Sequence, residues 1–337
     1  MHDLLRLYAT DKAHHDQPDA DQEAALRRVL DFYTHTAHTA ARRLNPHRPD
    51  IRLDPPAPGT HPQPLPDAPA ALAWLDTEHP NLLAAQHTAT TRGWHDTVWQ
   101  LAWTLTVFHY RRGHRHDDLA VSRAAVDAAA HLPNPTTRTT AHRYLGVAYA
   151  AQGRHEEAIE HLHQALALAE HHHNPTDQGW THCNLAWAWH RRGDDRRALE
   201  HATQAVDLFR SLDLPVCEAN ALNYVGWCAA RLGDYDTARD HCQATLTHNR
   251  QHNDPENEAD TLDCLGYIDH HTGHHHQAID HYQQARTLFR RLAHTYQSAD
   301  SLDRLGHPHA ALGQHEQART VWREALELFR QQGRDED

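Results

Sequence analysis

Glycine recurs every forty residues through most of this 337-residue chain, and this spacing limits the fold more than any other feature. The six glycines are Gly113, Gly153, Gly193, Gly233, Gly273 and Gly313. Small residues stand seven positions before the last five of them, at Gly146, Ala186, Gly226, Gly266 and Gly306. Alanines stand five positions after the same glycines, at Ala158, Ala198, Ala238, Ala278 and Ala318. A fixed period of this length predicts a repeat array, in which each unit packs on its neighbours.

Each forty-residue unit has the apolar spacing of two amphipathic helices separated by the glycine. In the unit around Gly153, Leu145 and Ala148 precede the glycine, while Ile159 and Leu162 follow it at helical spacing. The glycine supplies the left-handed conformation that ends the first helix. Neither helix can bury its apolar stripe alone, so stacked units must share a core. The sequence therefore predicts an all-α helical-repeat superhelix, an α-solenoid.

Five units follow this pattern closely, and they open at Thr139, Gly179, Ala219, Ala259 and Ala299. The pattern L-G-x-x-Y, then glycine, then A-x-x-x-(large)-x-x-A-L resembles the tetratricopeptide repeat (TPR), whose usual length is about 34 residues. The resemblance implies five TPR-like repeats over residues 139–337. We expect the extra residues of each unit to lengthen its second helix and the linker. Residues 97–138 keep the period but carry Thr106 and Asp118 in place of small residues, which predicts a degenerate first repeat.

Three segments precede the array. Residues 1–45 predict an N-terminal helical segment. Residues 46–68 contain eight prolines and predict an extended linker, because proline lacks the N–H that a helix needs. Residues 69–96 predict a helical adaptor of two short helices that break before Pro80.

Composition argues against several classes of function. The mean hydropathy is -0.82, and no apolar run approaches the roughly 20 residues of a membrane span, so we expect a cytoplasmic protein without membrane contact. The net charge of -13 argues against direct nucleic-acid binding, because phosphates repel an acidic surface. The five cysteines form no C-x-x-C pair, which indicates a reducing compartment rather than a disulfide framework.

Three stretches together indicate a family of regulators. They are Met1-His2-Asp3, the stretch from Ala73-Trp74-Leu75-Asp76 to Pro80-Asn81-Leu82-Leu83-Ala84-Ala85, and the TPR-like units. The combination resembles the C-terminal half of actinobacterial antibiotic-regulatory activators. In these STAND-type transcriptional regulators, a DNA-binding domain and an NB-ARC nucleotide switch precede a TPR sensor. The resemblance implies that residues 1–45 include the end of the switch's winged helix. It also implies that His2 meets the bound ADP in full-length relatives, with Asp3 shaping the backbone beside it.

This sequence lacks the catalytic parts of such a switch. No strand–G-x-x-x-x-G-K-[ST]–helix occurs, and the single lysine, Lys12, has no glycine near it. No basic helix-turn-helix precedes the repeats. ATP hydrolysis and direct DNA binding are therefore not expected of this polypeptide, and no cofactor is expected. Met1 fits either the start of a free-standing sensor or a truncation of a longer regulator.

The concave groove carries the predicted partner site. The first helix of each TPR lines the groove, and positions counted back from the glycines place an aromatic ladder beside a ladder of amides and acids. Such a surface suits a peptide, a protein or a small effector, because polar side chains bond amides while rings meet apolar groups. In the alternative interpretation, the rings fill gaps between repeats and the acids form a solvated face. The predicted groove residues are Trp180, Trp187, Arg191, Asn220, Asn223, Trp227, Arg231, Asp260, Asp263, Tyr267, His271, Asp300, Asp303 and His307.

Histidine is abundant, with 37 residues, and clusters around Gly273. The cluster comprises His270, His271, His274, His275, His276 and His281. Imidazoles at such spacing can ligate zinc or nickel, but these stand at a turn and a helix end, where cationic histidine is favourable in any case. No metal site is therefore expected. No nucleophile elbow and no H-E-x-x-H motif occurs, so the chain is not expected to be an enzyme.

The sequence thus predicts a TPR interaction and sensor module that reports a bound partner to an NB-ARC switch. A scaffold without a ligand, serving self-association only, is the alternative, and a metalloprotein centred on the histidines is the least supported. The last repeat raises a separate expectation. No following helix covers Val321, Trp322, Leu326 and Phe329, and Pro308 should weaken their partner helix. We therefore expect either a frayed end or a homodimer through the C-terminal repeat.

Overall fold

The structure is a computed structural model that describes residues 18–334. The described residues contain 14 α-helices and no strand, so the predicted all-α fold is confirmed. The chain divides into two compact units, which meet in sequence between Phe108 and His109. None of the described helices combines the length and the apolar character that a membrane span needs.

The first unit holds α1 (Asp19–Leu44), α2 (Ala68–Thr91) and most of α3 (His95–Arg112). The second unit holds the end of α3 and eleven further helices. These are α4 (Arg115–Ala129), α5 (Pro135–Ala151), α6 (His155–His171), α7 (Pro175–Arg192), α8 (Asp195–Ser211), α9 (Pro215–Arg231), α10 (Tyr235–Gln251), α11 (Pro255–His271), α12 (His275–Arg291), α13 (Thr295–Ala311) and α14 (His315–Gln331). Repeats 2 to 6 pair α5 with α6 through to α13 with α14. The degenerate first repeat over residues 97–138 stays a prediction.

The proline-rich segment between α1 and α2, residues 45–67, is extended and tied to α1. The Ala57 N–H donates to Asp31 Oδ2 at 2.7 Å, and the Gln63 N–H donates to Thr36 Oγ1 at 3.0 Å. Side chains of α1 therefore satisfy backbone donors that a chain without regular structure leaves unpaired.

Helix α2 corrects one expectation. Residues 68–91 form a single helix with Pro80 inside it, not two short helices broken before Pro80. The helix buries Leu75 on one side of the proline and Leu82 on the other, each with no exposed area. The burial of this continuous face outweighs the one backbone hydrogen bond that Pro80 removes.

The extra residues that make each repeat 40 long, instead of about 34, lengthen both of its helices. Each helix of repeats 2 to 6 has 17 residues, apart from α7 with 18, and short turns join them. The expected longer linker is wrong, because three residues, 172–174, connect α6 to α7. The first turn of a repeat uses a left-handed glycine, such as Gly193 with φ 88°. The turn between repeats uses a left-handed residue that is not glycine at His173, Asp213, Asn253 and Ala293.

Within each repeat, the small residue of the first helix faces one particular residue of the second helix, nine positions after the glycine. The pairs are Gly146–Leu162, Gly226–Cys242, Gly266–Tyr282 and Gly306–Trp322. A Cβ added to Gly226 or Gly266 would lie 2.8 or 2.9 Å from its partner, closer than side chains pack. Repeat 3 has alanine at both positions, Ala186 and Ala202, both fully buried in one cluster. Glycine is therefore required in the first helix where the facing side chain of the second helix is larger than that of alanine.

The C-terminal end of the array is covered by its own chain. Val321 and Phe329 are each 8% exposed, whereas Leu326 is 46% exposed. The Arg334 guanidinium lies 4.5 Å from the centre of the Phe329 ring and donates to Asp300 Oδ1 at 2.5 Å. The expectation of an uncovered edge is therefore wrong for Phe329, which Arg334 covers, and for Val321, which packs in the same cluster as Leu302 and Leu305. Pro308 lies inside α13, which continues to Ala311.

Candidate ligand pocket on the inner face of the repeats

Within the second unit, the end of α3 contacts repeats 5 and 6. Arg111 Nη2 donates to Glu256 Oε2 at 2.5 Å, across 145 positions of sequence. Thr295 Oγ1 donates to the main-chain oxygen of Arg111 at 3.0 Å, and Arg112 Nη1 donates to that of Ala293 at 3.3 Å. The array thus curves until its beginning meets its end. The chain's own residues cover part of the predicted groove.

A pocket of about 120 Å³ remains on the inner face. It lies between Tyr110 of α3 and the first helices of repeats 3 to 6, which are α7, α9, α11 and α13. Eight of the fourteen predicted groove residues line it: Trp187, Arg191, Asn220, Asn223, Trp227, Asp260, Asp263 and Asp300. For comparison, an apolar cavity of about 150 Å³ holds a benzene molecule, so the pocket suits a small chemical group.

The other six predicted residues do not line the pocket. Trp180 packs edge-on against Phe209, with ring centres 5.2 Å apart, and belongs to the core of repeat 3. Arg231 donates to Asp195 and to the hydroxyl of Tyr267. The remaining residues are His271, which stacks on Tyr267; Asp303, whose main-chain oxygen accepts from Trp322; and His307, which contacts the Trp322 ring. These six residues therefore lie outside this pocket, and their place in a wider partner groove stays a prediction.

Eight lining residues were missed by sequence reasoning: Tyr110, His190, Tyr224, Asn257, Cys264, Tyr296, Gln297 and Arg304. The sequence carries a signal for Asn257 and Gln297, because they stand 40 positions apart, at the same place in successive repeats. Each also bonds a residue 37 positions earlier. Asn220 Nδ2 donates to Asn257 Oδ1 at 2.8 Å, and Gln297 Nε2 donates to Asp260 Oδ1 at 3.2 Å. Tyr110 had no signal, since its position depends on the curvature of the whole array.

The wall of the pocket around Trp227 is held from two sides. Trp227 Nε1 donates to His190 Nε2 at 3.1 Å, and His190 Nδ1 lies 2.6 Å from Asp195 Oδ1. These contacts place the imidazole proton on Nδ1. On its other side, Trp227 carries the Arg304 guanidinium 4.8 Å from a ring centre. The indole is therefore fixed before any ligand arrives.

The acids of the pocket differ in their partners. Arg304 bonds Asp263, Arg334 bonds Asp300, and Arg111 bonds Glu256 just outside the lining. Asp260 accepts from Gln297 and forms no salt bridge with any residue that the structure describes. Burial raises the pKa of the Asp260 carboxyl well above its usual range, and the negative charges of Glu256, Asp263 and Asp254 raise it further, against the opposing charge of Arg304.

Two tyrosine hydroxyls belong to the same region. Tyr110 Oη accepts from Gln297 Nε2 at 3.2 Å, so one amide serves both Tyr110 and Asp260. Tyr296 is 4% exposed, and its hydroxyl has no hydrogen-bond partner among residues 18–334. The rings of Tyr110 and Tyr296 lie 5.6 Å apart. Within the described part of the chain, the lining of the pocket therefore includes both a hydroxyl without a partner, on Tyr296, and an acid without a salt bridge, Asp260.

The histidine cluster around Gly273 lies outside this pocket. His270 packs against His271 and His275 with ring centres 5.1 Å away in each case. Burial, and then the neighbouring imidazoles, lower the pKa of His270 to about 4. Among the described residues, no three side chains of this cluster bring ligand atoms together for a metal. His2 and Asp3, singled out in the sequence, lie outside the described residues.

Family comparisons agree with this architecture. Residues 136–211 and 217–291 match a tetratricopeptide repeat model, and residues 299–324 match a second one. Together these ranges cover just over half of the chain. The chain belongs to the tetratricopeptide repeat family. TPR domains are interaction scaffolds, and the chain is accordingly a protein-interaction module and not an enzyme.

A curated relative and two solved structures are similar to this TPR protein. The chain is 33% identical over 160 residues to the Regulatory protein AfsR of Streptomyces griseus, a match that covers 47% of this chain and 16% of that protein. The Rap protein complexed with Competence and Sporulation Factor has a TM-score of 0.60 at 12% identity, covering 91% of this chain and 78% of that one. NprR in complex with its cognate peptide NprX has a TM-score of 0.56 at 17% identity, covering 78% and 79%. These two likenesses are of fold.

Proposed function

We propose that this TPR domain is a sensor that binds a small effector or the end of a peptide in the pocket between repeats 3 and 6. The observation that carries the proposal is the convergence of eight groove residues, chosen from the repeat pattern, on one pocket with fixed aromatic walls. Binding sites of this kind combine apolar walls with a few convergent polar groups.

The size of the pocket favours a ligand smaller than an extended peptide. NprR, which has a similar fold, is in complex with its cognate peptide NprX, and this supports a peptide as one class of partner. Here the residues around Tyr110 cover part of the inner face, and about 120 Å³ remains. A peptide terminus or one side chain matches that space.

We further propose that the domain is the regulatory C-terminal part of a longer STAND-type transcriptional regulator in the cytoplasm. The match to AfsR, of which it spans 16%, supports this context. In such a protein the sensor's partner is an NB-ARC switch, and His2 contacts its bound ADP. Ligand binding would hold the switch closed or release it.

A scaffold without a ligand is the second candidate. It is favoured by the contact of Arg111 with Glu256, because the chain's own residues occupy part of the groove. Self-association through the C-terminal repeat has less support. Leu326 is the large exposed apolar side chain there, and one such residue makes a small interface.

Affinity selection tests the sensor against the scaffold. The low-molecular-weight fraction of an actinobacterial extract is incubated with the protein, and retained compounds are identified by mass spectrometry. We expect at least one compound to be retained by the wild type and lost from the Trp187→Ala, Trp227→Ala double variant. Trp180→Ala is the matched control, since this indole lies in the core of repeat 3 and its loss should leave retention unchanged. Equal retention by the double variant, or no retention by the wild type, supports the scaffold.

A further inference from the structure

The charge pattern of the pocket leaves one acid unneutralised. Glu256, Asp263 and Asp300 each bond an arginine. Asp260 bonds the neutral amide of Gln297, and it has no cation within salt-bridge distance in the part of the chain that the structure describes. A buried carboxyl without a cation is costly in its ionised form. A cationic ligand would remove that cost.

The surroundings of Asp260 are aromatic. Tyr110 shares the Gln297 amide with it, and Tyr224 and Trp227 line the same pocket. Aromatic faces attract a cation through their quadrupole, most strongly where water is excluded. The unused hydroxyl of Tyr296 adds an oxygen acceptor. Carboxylate, ring faces and hydroxyl thus meet around a volume of about 120 Å³.

Other charged groups fit this arrangement less well. A hard divalent cation needs several carboxylate oxygens close to one another, and no three ligand atoms of the described acids in this pocket come together in that way. An anion would face Asp260 with Glu256 and Asp263 behind it, and Arg304 is already paired. A primary ammonium carries one charge and three donors in a compact group, which matches one carboxylate and neighbouring oxygens.

We infer that the pocket recognises a primary ammonium group, which binds against the Asp260 carboxylate between the aromatic side chains. The inference rests on the proposed function, because it names the chemistry of the ligand for that pocket. Such a group has two sources, the N-terminus of a peptide or a free small amine. Both give the same contact with Asp260.

Calorimetry with defined probes tests the inference. Phenylalaninamide represents the first residue of a peptide, n-butylamine represents a free amine, and N-acetylphenylalaninamide is the neutral control. We expect at least one of the two ammonium probes to bind, and the acetylated probe to bind at least tenfold more weakly than phenylalaninamide if the source is a peptide. Binding of n-butylamine alone assigns a free amine. Binding of neither ammonium probe, or equal binding of the acetylated one, overturns the inference.

Proton release gives a second readout on the wild-type protein. Glu256, Asp263 and Asp254 face Asp260 with negative charge, and Arg304 opposes them. A bound cation lowers the pKa of Asp260, so binding should release protons, which titrations in two buffers of different ionisation enthalpy measure. Proton release that persists in Asp260→Asn contradicts a contact with Asp260.

Two variants locate the contact. Asp260→Asn removes the charge but keeps the oxygen that accepts from Gln297, and it should weaken the ammonium probes at least tenfold. Asp303→Asn is the matched control, because Asp303 stands at the repeat position of Asn223 and Asp263 but does not line the pocket. Circular dichroism checks that both variants fold. A further outcome is that Asp260→Asn still retains the extract compound that the Trp187→Ala, Trp227→Ala variant loses. That result overturns the inference of an ammonium group and leaves the proposed sensor function standing.

Discussion

Gly306→Ala tests directly whether the large side chain that faces the first helix of a repeat requires glycine there. A Cβ at this position would overlap Trp322 Nε1 and Cε2 and would lie 2.7 Å from Cδ1. The indole cannot retreat freely, since Nε1 donates to the Asp303 main-chain oxygen at 3.0 Å. Overpacking of this kind costs about 1–3 kcal/mol, and the strained hydrogen bond adds about 1 kcal/mol.

The same substitution also has a favourable part. Alanine is better than glycine inside a helix by about 1 kcal/mol, so the net loss of unfolding free energy should be about 1–3 kcal/mol. With Trp322→Ala already present, the obstacle is gone and Gly306→Ala should become stabilising by about 1 kcal/mol. The double variant reproduces the pair Ala186–Ala202 that repeat 3 contains.

Urea denaturation followed by far-ultraviolet circular dichroism measures this cycle of four proteins. Ala186→Gly is the control for helix propensity, and it should lose about 1 kcal/mol because no large side chain opposes it. A loss on Gly306→Ala that is equal with and without Trp322 would refute the volume argument. The coupling would then be near zero, and the glycines would need another explanation.

Three further outcomes are expected. Arg111→Met should cost about 3 kcal/mol in urea denaturation, since it leaves Glu256 near the pocket without its cation; an unchanged midpoint would show that the closure is not stabilising. Ala293→Gly should raise the thermal midpoint by a gain of roughly 0.5–1 kcal/mol, because alanine at φ 51° is strained; a lower midpoint would contradict this. The free energy of unfolding should also decrease as the pH is lowered, since burial lowers the pKa of both His142 and His182 from 6.5 to about 4. The unfolded chain binds these protons more readily, so stability is full above pH 6.5 and is lost toward pH 4. A flat pH profile of the midpoint over that range would contradict it.

The repeat spacing predicts the helix pairs well because each marked position has a local physical role. Gly193 ends a helix with positive φ, and Ala198 is fully buried where two helices approach. Pro80 shows the limit of such reasoning. The preference of one residue gives the wrong structure there, because the buried faces on both sides of the proline outweigh it.

The pocket could be predicted only in part for a related reason. Asn220, Asn223 and Asp260 project from first helices at regular spacing, so the pattern places them on the inner face. Tyr110 comes from the end of α3, before the five regular repeats, and reaches the pocket only after the small rotation between repeats has accumulated over the array. No single repeat contains that information.

Helix α3 gives the pocket a mechanical connection. The helix is continuous from His95 to Arg112, about 27 Å at 1.5 Å per residue, and it carries Tyr110 near its end. It is also the helix in which the two units meet along the chain. A ligand that displaced Tyr110 would therefore act on one end of a continuous helix whose other end belongs to the first unit. If the proposed sensor passes a signal toward the N-terminal side of the repeats, this helix is the element of the chain that would carry it.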